Sequence, residues 1–105
     1  MNTYVLLSRL TPDGARRLQT RPGRLREVNE EIEDFGCVVV SQFATMGPYD
    51  FVTLVQAPDN DTMMRLSATL VSRGTVELMS MPAVWVSDFL DQLDRDHAER
   101  SGDQL

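Results

Sequence analysis

The chain has 105 residues, a net charge of -6, and 42% apolar and 25% charged residues. This is the size and balance of one globular domain with a modest stability margin. An acidic surface repels phosphate backbones, so nucleic acid is not an expected partner. All basic residues are arginine, and Cys37 is the lone cysteine. An internal disulfide and a cysteine-based metal cluster are therefore excluded, which suits a reducing, cytoplasmic setting. No apolar run is as long as a membrane helix needs, and Met1-Asn2-Thr3-Tyr4 lacks the pattern of a signal peptide. Neither a membrane nor a secretion route is expected.

Tyr4 to Ser8 reads as a short buried strand. Thr11-Pro12 opens a helix, with a hydroxyl to cap it and a proline whose missing N–H costs nothing there. Pro22 interrupts it, so a short helix, a break and a main helix from about Pro22 to Phe35 are expected. Leu25, Val28, Ile32 and Phe35 form one apolar stripe on the main helix, and Gly36 ends it.

Cys37 to Met46 and Phe51 to Ala57 read as two strands, joined by the turn Gly47-Pro48-Tyr49-Asp50. That loop length predicts Met46 opposite Phe51, Ala44 opposite Thr53 and Gln42 opposite Val55. One face would carry Val38, Val40, Gln42, Ala44, Met46, Phe51, Thr53 and Val55. The other would carry Val39, Ser41, Phe43, Thr45, Val52, Leu54 and Gln56. Neither face is polar enough for open solvent, and helices cover only one. The uncovered face predicts a homodimer formed through the sheet.

Pro58-Asp59-Asn60-Asp61 opens a second long helix, with an Asx cap and favourable acidic charge. Met64, Ala68 and Val71 are its expected inward stripe, with Met63, Leu66 and Leu70 beside it. Thr75 to Met81 is the fourth strand, ended by Pro82. A last helix starts at Ser87, carries Phe89, Leu90 and Leu93 on its apolar edge, and frays after about Arg100. The order βαββαβ plus a C-terminal helix predicts an α+β fold with an antiparallel four-stranded sheet.

Gly47-Pro48-Tyr49-Asp50-Phe51-Val52 resembles the Gly-x-Tyr-Asp signature of the GYD-domain family of small bacterial and archaeal proteins. Thr11-Pro12-Asp13-Gly14, Ala57-Pro58-Asp59 and Gly74-Thr75-Val76 resemble further segments of that family, in the same order. The resemblance runs from about Tyr4 to Leu93. It implies a ferredoxin-like domain of the dimeric α/β-barrel kind over residues 1–97, leaving 98–105 as a polar tail. It implies no single reaction. The wider fold hosts cofactor-free monooxygenases, cyclases, isomerases, haem enzymes and ligand-sensing domains, and fold alone does not choose among them.

Tyr49 and Asp50 offer a phenol and a carboxylate at the mouth of the sheet, suited to proton transfer. The same residues also suit plain turn chemistry. Glu77 is a third catalytic candidate. Gln42 and Thr53 are polar exceptions on the strands. With Tyr49, Met64 and Met79 they are the candidate ligand-binding residues, around a cavity between sheet and helices. Pairing across the sheet, Ser41 with Gln56 and Ala44 with Thr53, is the plainer reading of the strand polar groups. His97 sits in a polar tail without a constellation around it, and Cys37 has no neighbouring positive charge to activate it. No metal site and no cofactor are expected. Arg16, Arg17, Arg21, Arg24 and Arg26 could bind an anion near the Pro22 helix start, or pair with Glu27, Glu30, Glu31 and Glu33.

The leading expectation is a small-molecule binding, sensing or accessory protein holding an apolar ligand between sheet and helices. The alternatives are a cofactor-independent cyclase, isomerase or monooxygenase acting on a polyketide-like or aromatic substrate, and a structural interaction subunit. Sequence leaves open whether the chain is catalytic.

Overall fold

The computed structural model describes residues 1–103, with side chains described for 1–100. The elements are β1 (Asn2–Leu10), α1 (Pro12–Thr20), α2 (Arg24–Asp34), β2 (Val38–Ala44), β3 (Phe51–Ala57), α3 (Asn60–Val71), β4 (Val76–Ala83) and α4 (Val86–Asp103). The four strands form one antiparallel sheet in the order β2-β3-β1-β4. This is the ferredoxin-like α+β arrangement expected from the element order.

Local chemistry explains the boundaries. Thr11 caps α1, its Oγ1 accepting from Gly14 N at 3.1 Å, with Pro12 in the first turn. Pro22 falls in the break between α1 and α2. Asp59 caps α3, its Oδ1 accepting from Thr62 N at 2.8 Å and Thr62 Oγ1 at 2.7 Å. Those bonds, the backbone one first, hold the Asp59 carboxyl below its usual range.

The core lies between the sheet and helices α2 and α3. Tyr4, Leu6, Val55 and Ala57 project from the sheet toward Ile32, Cys37, Met63, Leu66 and Leu70. Fully burying one such side chain contributes about 1.5–3 kcal/mol. The Tyr4 hydroxyl donates to Asn60 Oδ1, so its polar end is satisfied.

Three expectations about side-chain direction are corrected. The hairpin register places Ala44 opposite Phe51, Gln42 opposite Thr53 and Ser41 opposite Leu54, because β2 stops at Ala44 and the loop is longer. A bulge between Val39 and Ser41 then reverses the alternation. Val39, opposite Val55, therefore joins the core face, and Val38, opposite Gln56, joins the other. On α3 the inward stripe is Met63, Leu66 and Leu70, while Met64, Ala68 and Val71 are exposed. Strand β4 continues through Pro82, which an edge strand tolerates.

The opposite sheet face has no helix over it. Val5 pairs with Leu54 and Met81, Leu7 with Val52 and Met79, and Phe43 with Val52. Helix α4 starts one residue before Ser87 and stays helical to Asp103, past the expected fraying point. The remainder of the expected polar tail, residues 104–105, lies outside the described residues. Every described side chain of α4 is exposed, Phe89, Leu90 and Leu93 included. The helix therefore stands off the body. The Cα radius of gyration is 17.7 Å, against about 13 Å for a compact chain of this length.

Candidate functional site

The structure gathers the candidate residues into two places and leaves two outside both. The first is a cavity of about 100 Å³ under α1 and α2. Leu6, Leu25, Val28, Ile32, Phe51 and Leu78 supply much of its apolar wall. One polar network crosses it. Asn29 Nδ2 donates to Gln42 Oε1 at 2.9 Å, and Gln42 Nε2 donates to Asn29 Oδ1 at 3.3 Å and Thr53 Oγ1 at 3.1 Å. Gln42 and Thr53 thus do meet at a cavity between sheet and helices. Asn29 joins them from α2, a partner that no sequence spacing marks.

The second place is the loop after β2, organised by Arg9. Arg9 Nε donates to Pro48 O at 2.7 Å, its guanidinium lies 5.4 Å from the Tyr49 ring centroid, and it reaches Glu77 at 3.8 Å. Gly47 takes φ +115°, a conformation open to glycine, so the chain can turn there. Asp50 Oδ2 accepts Leu10 N at 2.7 Å, Asp50 N donates to Ser8 O at 2.8 Å, and Thr45 N donates to Asp50 O at 2.8 Å. Thr45 Oγ1 donates to Tyr49 O at 2.7 Å. Asp50 is thereby engaged in closing the turn onto the end of β1. Tyr49 and Glu77 lie around Arg9, on the side of the sheet away from the cavity.

Met64 is 69% exposed on the outer side of α3, and Met79 is 47% exposed on the uncovered sheet face. Neither lines the cavity. Adjacent methionines gave no sign of which would turn inward. Among the described residues, no group of three or more His, Cys, Asp or Glu is placed to hold a metal ion. His97 lies exposed on α4. Cys37 is buried, and burial followed by the Asp59 charge pushes its thiol pKa up, away from thiolate chemistry.

Most basic side chains near the cavity are paired. Asp13 takes Arg16 at 3.5 Å and Arg17 at 3.0 Å, while Glu27 takes Arg24 at 3.1 Å and also Arg21. Arg73, at the end of α3, grips Glu31 of α2 through two hydrogen bonds. The Arg73 hydrogen bond, the largest cause, holds the Glu31 carboxyl below its usual range.

A large apolar surface remains open. The uncovered sheet face is four strands wide, roughly 15–20 Å by 20 Å, and Phe43 on it is 62% exposed. The segment Val84-Trp85-Val86 leads from this sheet into α4 and is also exposed. Among the described residues, no helix is long and apolar enough to cross a membrane.

The comparisons agree with this architecture. A family model described as the GYD domain matches residues 4–93. A Thermus thermophilus protein named "Glutamine synthetase and cystathionine beta-lyase binding protein" is 48% identical over 94 residues, spanning 89% of this chain and 99% of that protein. The crystal structure of TTHA0845, also from Thermus thermophilus, superposes with a TM-score of 0.52 at 24% identity, covering 81% of this chain and 95% of that one. That likeness bears on fold alone. With the family match spanning nearly the whole folded region, the chain belongs to the GYD-domain family.

Proposed function

We propose that this protein is an accessory subunit that binds metabolic enzymes, with glutamine synthetase and cystathionine beta-lyase as its first candidate partners. The observation that carries the reading is 48% identity across 99% of a relative named for binding those two enzymes. The exposed surfaces suit it. Contiguous apolar patches beyond a few hundred Å² are rare on lone monomers and mark contact sites.

The uncovered sheet face is assigned to a second copy of the chain. Its central residues, Val5, Leu7, Val52 and Leu54, form a flat layer that a two-fold partner would cover with the same residues. Trp85 and the Phe89-Leu90-Leu93 edge of α4 are assigned to the enzyme partner. Trp85 is 56% exposed, and tryptophan is enriched among residues that dominate binding. Work beside such enzymes fits a cytoplasmic location. The test is surface plasmon resonance with the glutamine synthetase and cystathionine beta-lyase of the same cell. Saturable binding of either is expected, and no binding of either would end the reading.

A second reading is favoured by the cavity: an apolar small molecule held between the sheet and α1–α2, on the wall shared by Gln42 and Thr53. The enzymatic alternative has less support. Its candidates Tyr49, Asp50 and Glu77 lie apart from Gln42, and the Asp50 carboxylate is already engaged by the Leu10 backbone N–H.

A further inference from the structure

The cavity under α1 and α2 shares a wall with a second concavity. An open groove along these helices is lined by Asp13, Arg16, Arg17, Thr20, Arg21 and Arg24. Arg17 and Arg24 line the cavity as well. These two arginines therefore stand where an apolar interior meets a charged exterior.

The charge there does not balance. Arg16 and Arg17 share Asp13, and Arg21 and Arg24 share Glu27. With the neighbouring Arg73–Glu31 pair included, whose carboxylate also feels the Arg24 charge, five guanidiniums meet three carboxylates, an excess of two positive charges on a chain whose net charge is -6. Exposed pairs of this kind are weak, so a further anionic group can join them without disturbing the fold. Inside the cavity, Thr53 is 3% exposed and accepts from Gln42 Nε2. Among the described residues, no hydrogen bond uses its own hydroxyl proton.

We propose that cavity and groove form one site for an amphipathic acid. Its apolar body would sit under α1 and α2, and its oxyanion head, carboxylate or phosphate, would lie on Arg17 and Arg24. Planar guanidinium forks match both head groups. A cavity of about 100 Å³ is near the size that takes a small ring or short alkyl chain. This inference deepens the second reading above and rests on it, since it needs the cavity to admit an apolar guest.

The test uses the full chain, labelled with ¹⁵N, titrated separately with hexanoate, hexyl phosphate, hexan-1-ol and inorganic phosphate. The readouts are the side-chain amide signals of Asn29 and Gln42 and the backbone signals of Arg17 and Arg24. At least one of the two amphiphilic acids should shift both sets saturably, with hexan-1-ol at least tenfold weaker. The preferred acid identifies the head group. The doubly substituted Arg17→Gln/Arg24→Gln chain, its fold checked by its own spectrum, should bind that acid no better than the alcohol. Equal binding of hexan-1-ol and the acids would overturn the acid assignment while leaving the apolar cavity reading intact. Inorganic phosphate matching hexyl phosphate would overturn the joined site. No shift from any probe would overturn both.

Discussion

Asp50 Oδ2 accepts the backbone N–H of Leu10 at 2.7 Å, across 40 residues of sequence. One carboxylate of the signature loop thereby ties that loop to the end of the central strand β1. Its position is explained by the fold without any reaction.

Asp50→Ala should therefore destabilise the chain. Losing a partly buried charged acceptor leaves the Leu10 N–H unpaired, at a cost of about 1–2 kcal/mol. Thermal unfolding should show the midpoint about 5–15 °C lower. An unchanged midpoint would return Asp50 to the list of free chemical groups.

Gly14 and Gly23 should respond oppositely to alanine. A Cβ on Gly14 would lie 1.9 Å from Thr75 O, a backbone atom, where α1 meets the start of β4. Gly23 has nothing within 4 Å of its Cβ position and φ of -60°. Gly14→Ala should cost about 2 kcal/mol or more through forced backbone movement. Gly23→Ala should be neutral or stabilise by up to about 1 kcal/mol. Parallel urea titrations of the two variants check both signs.

Glu31 sets part of the acid limb of stability. Its folded pKa is depressed, chiefly by the hydrogen bond from Arg73. Its contribution is complete above the unfolded glutamate value of about 4.3. It fades as pH falls below that point and through the lowered folded value. Glu31→Gln should flatten the stability–pH curve in that window and leave its shape near pH 7 unaltered. A curve that keeps its full acid slope would show that the Arg73–Glu31 pair does not stabilise the fold.

Leu54 lies near the middle of the uncovered sheet face, opposite Val5 and Ser41. Leu54→Arg should place a charge in the apolar layer between two copies. Size-exclusion chromatography with light scattering should give a dimer for the unaltered chain and a folded monomer for the variant. A monomeric unaltered chain would contradict the assignment of this face.

Much of the architecture was legible because its signals are local. Thr11-Pro12, Pro22 and Asp59 mark helix starts and breaks through their own backbone chemistry. Side-chain direction is not legible where it depends on distant packing. Nothing in Val38-Val39-Val40 tells which valine is the extra residue, so the bulge and the faces it reverses were hidden. Met63 and Met64 are equally apolar, and a one-residue shift turns a helix face by about 100°. Gln42 and Thr53 were legible as polar residues on strands. Their meeting with Asn29, and that of Arg17 and Arg24 with the cavity, is fixed by the docking of α1 and α2 on the sheet. Sequence spacing carries no such information.

Whether this protein binds metabolic enzymes is tested by sedimentation velocity of the purified chain mixed with its cognate glutamine synthetase. The chain should move with the enzyme boundary, and Trp85→Ala should weaken this at least tenfold while leaving the chain's own fold and self-association intact. A folded chain that sediments at its own rate with glutamine synthetase, and equally with cystathionine beta-lyase, would contradict it.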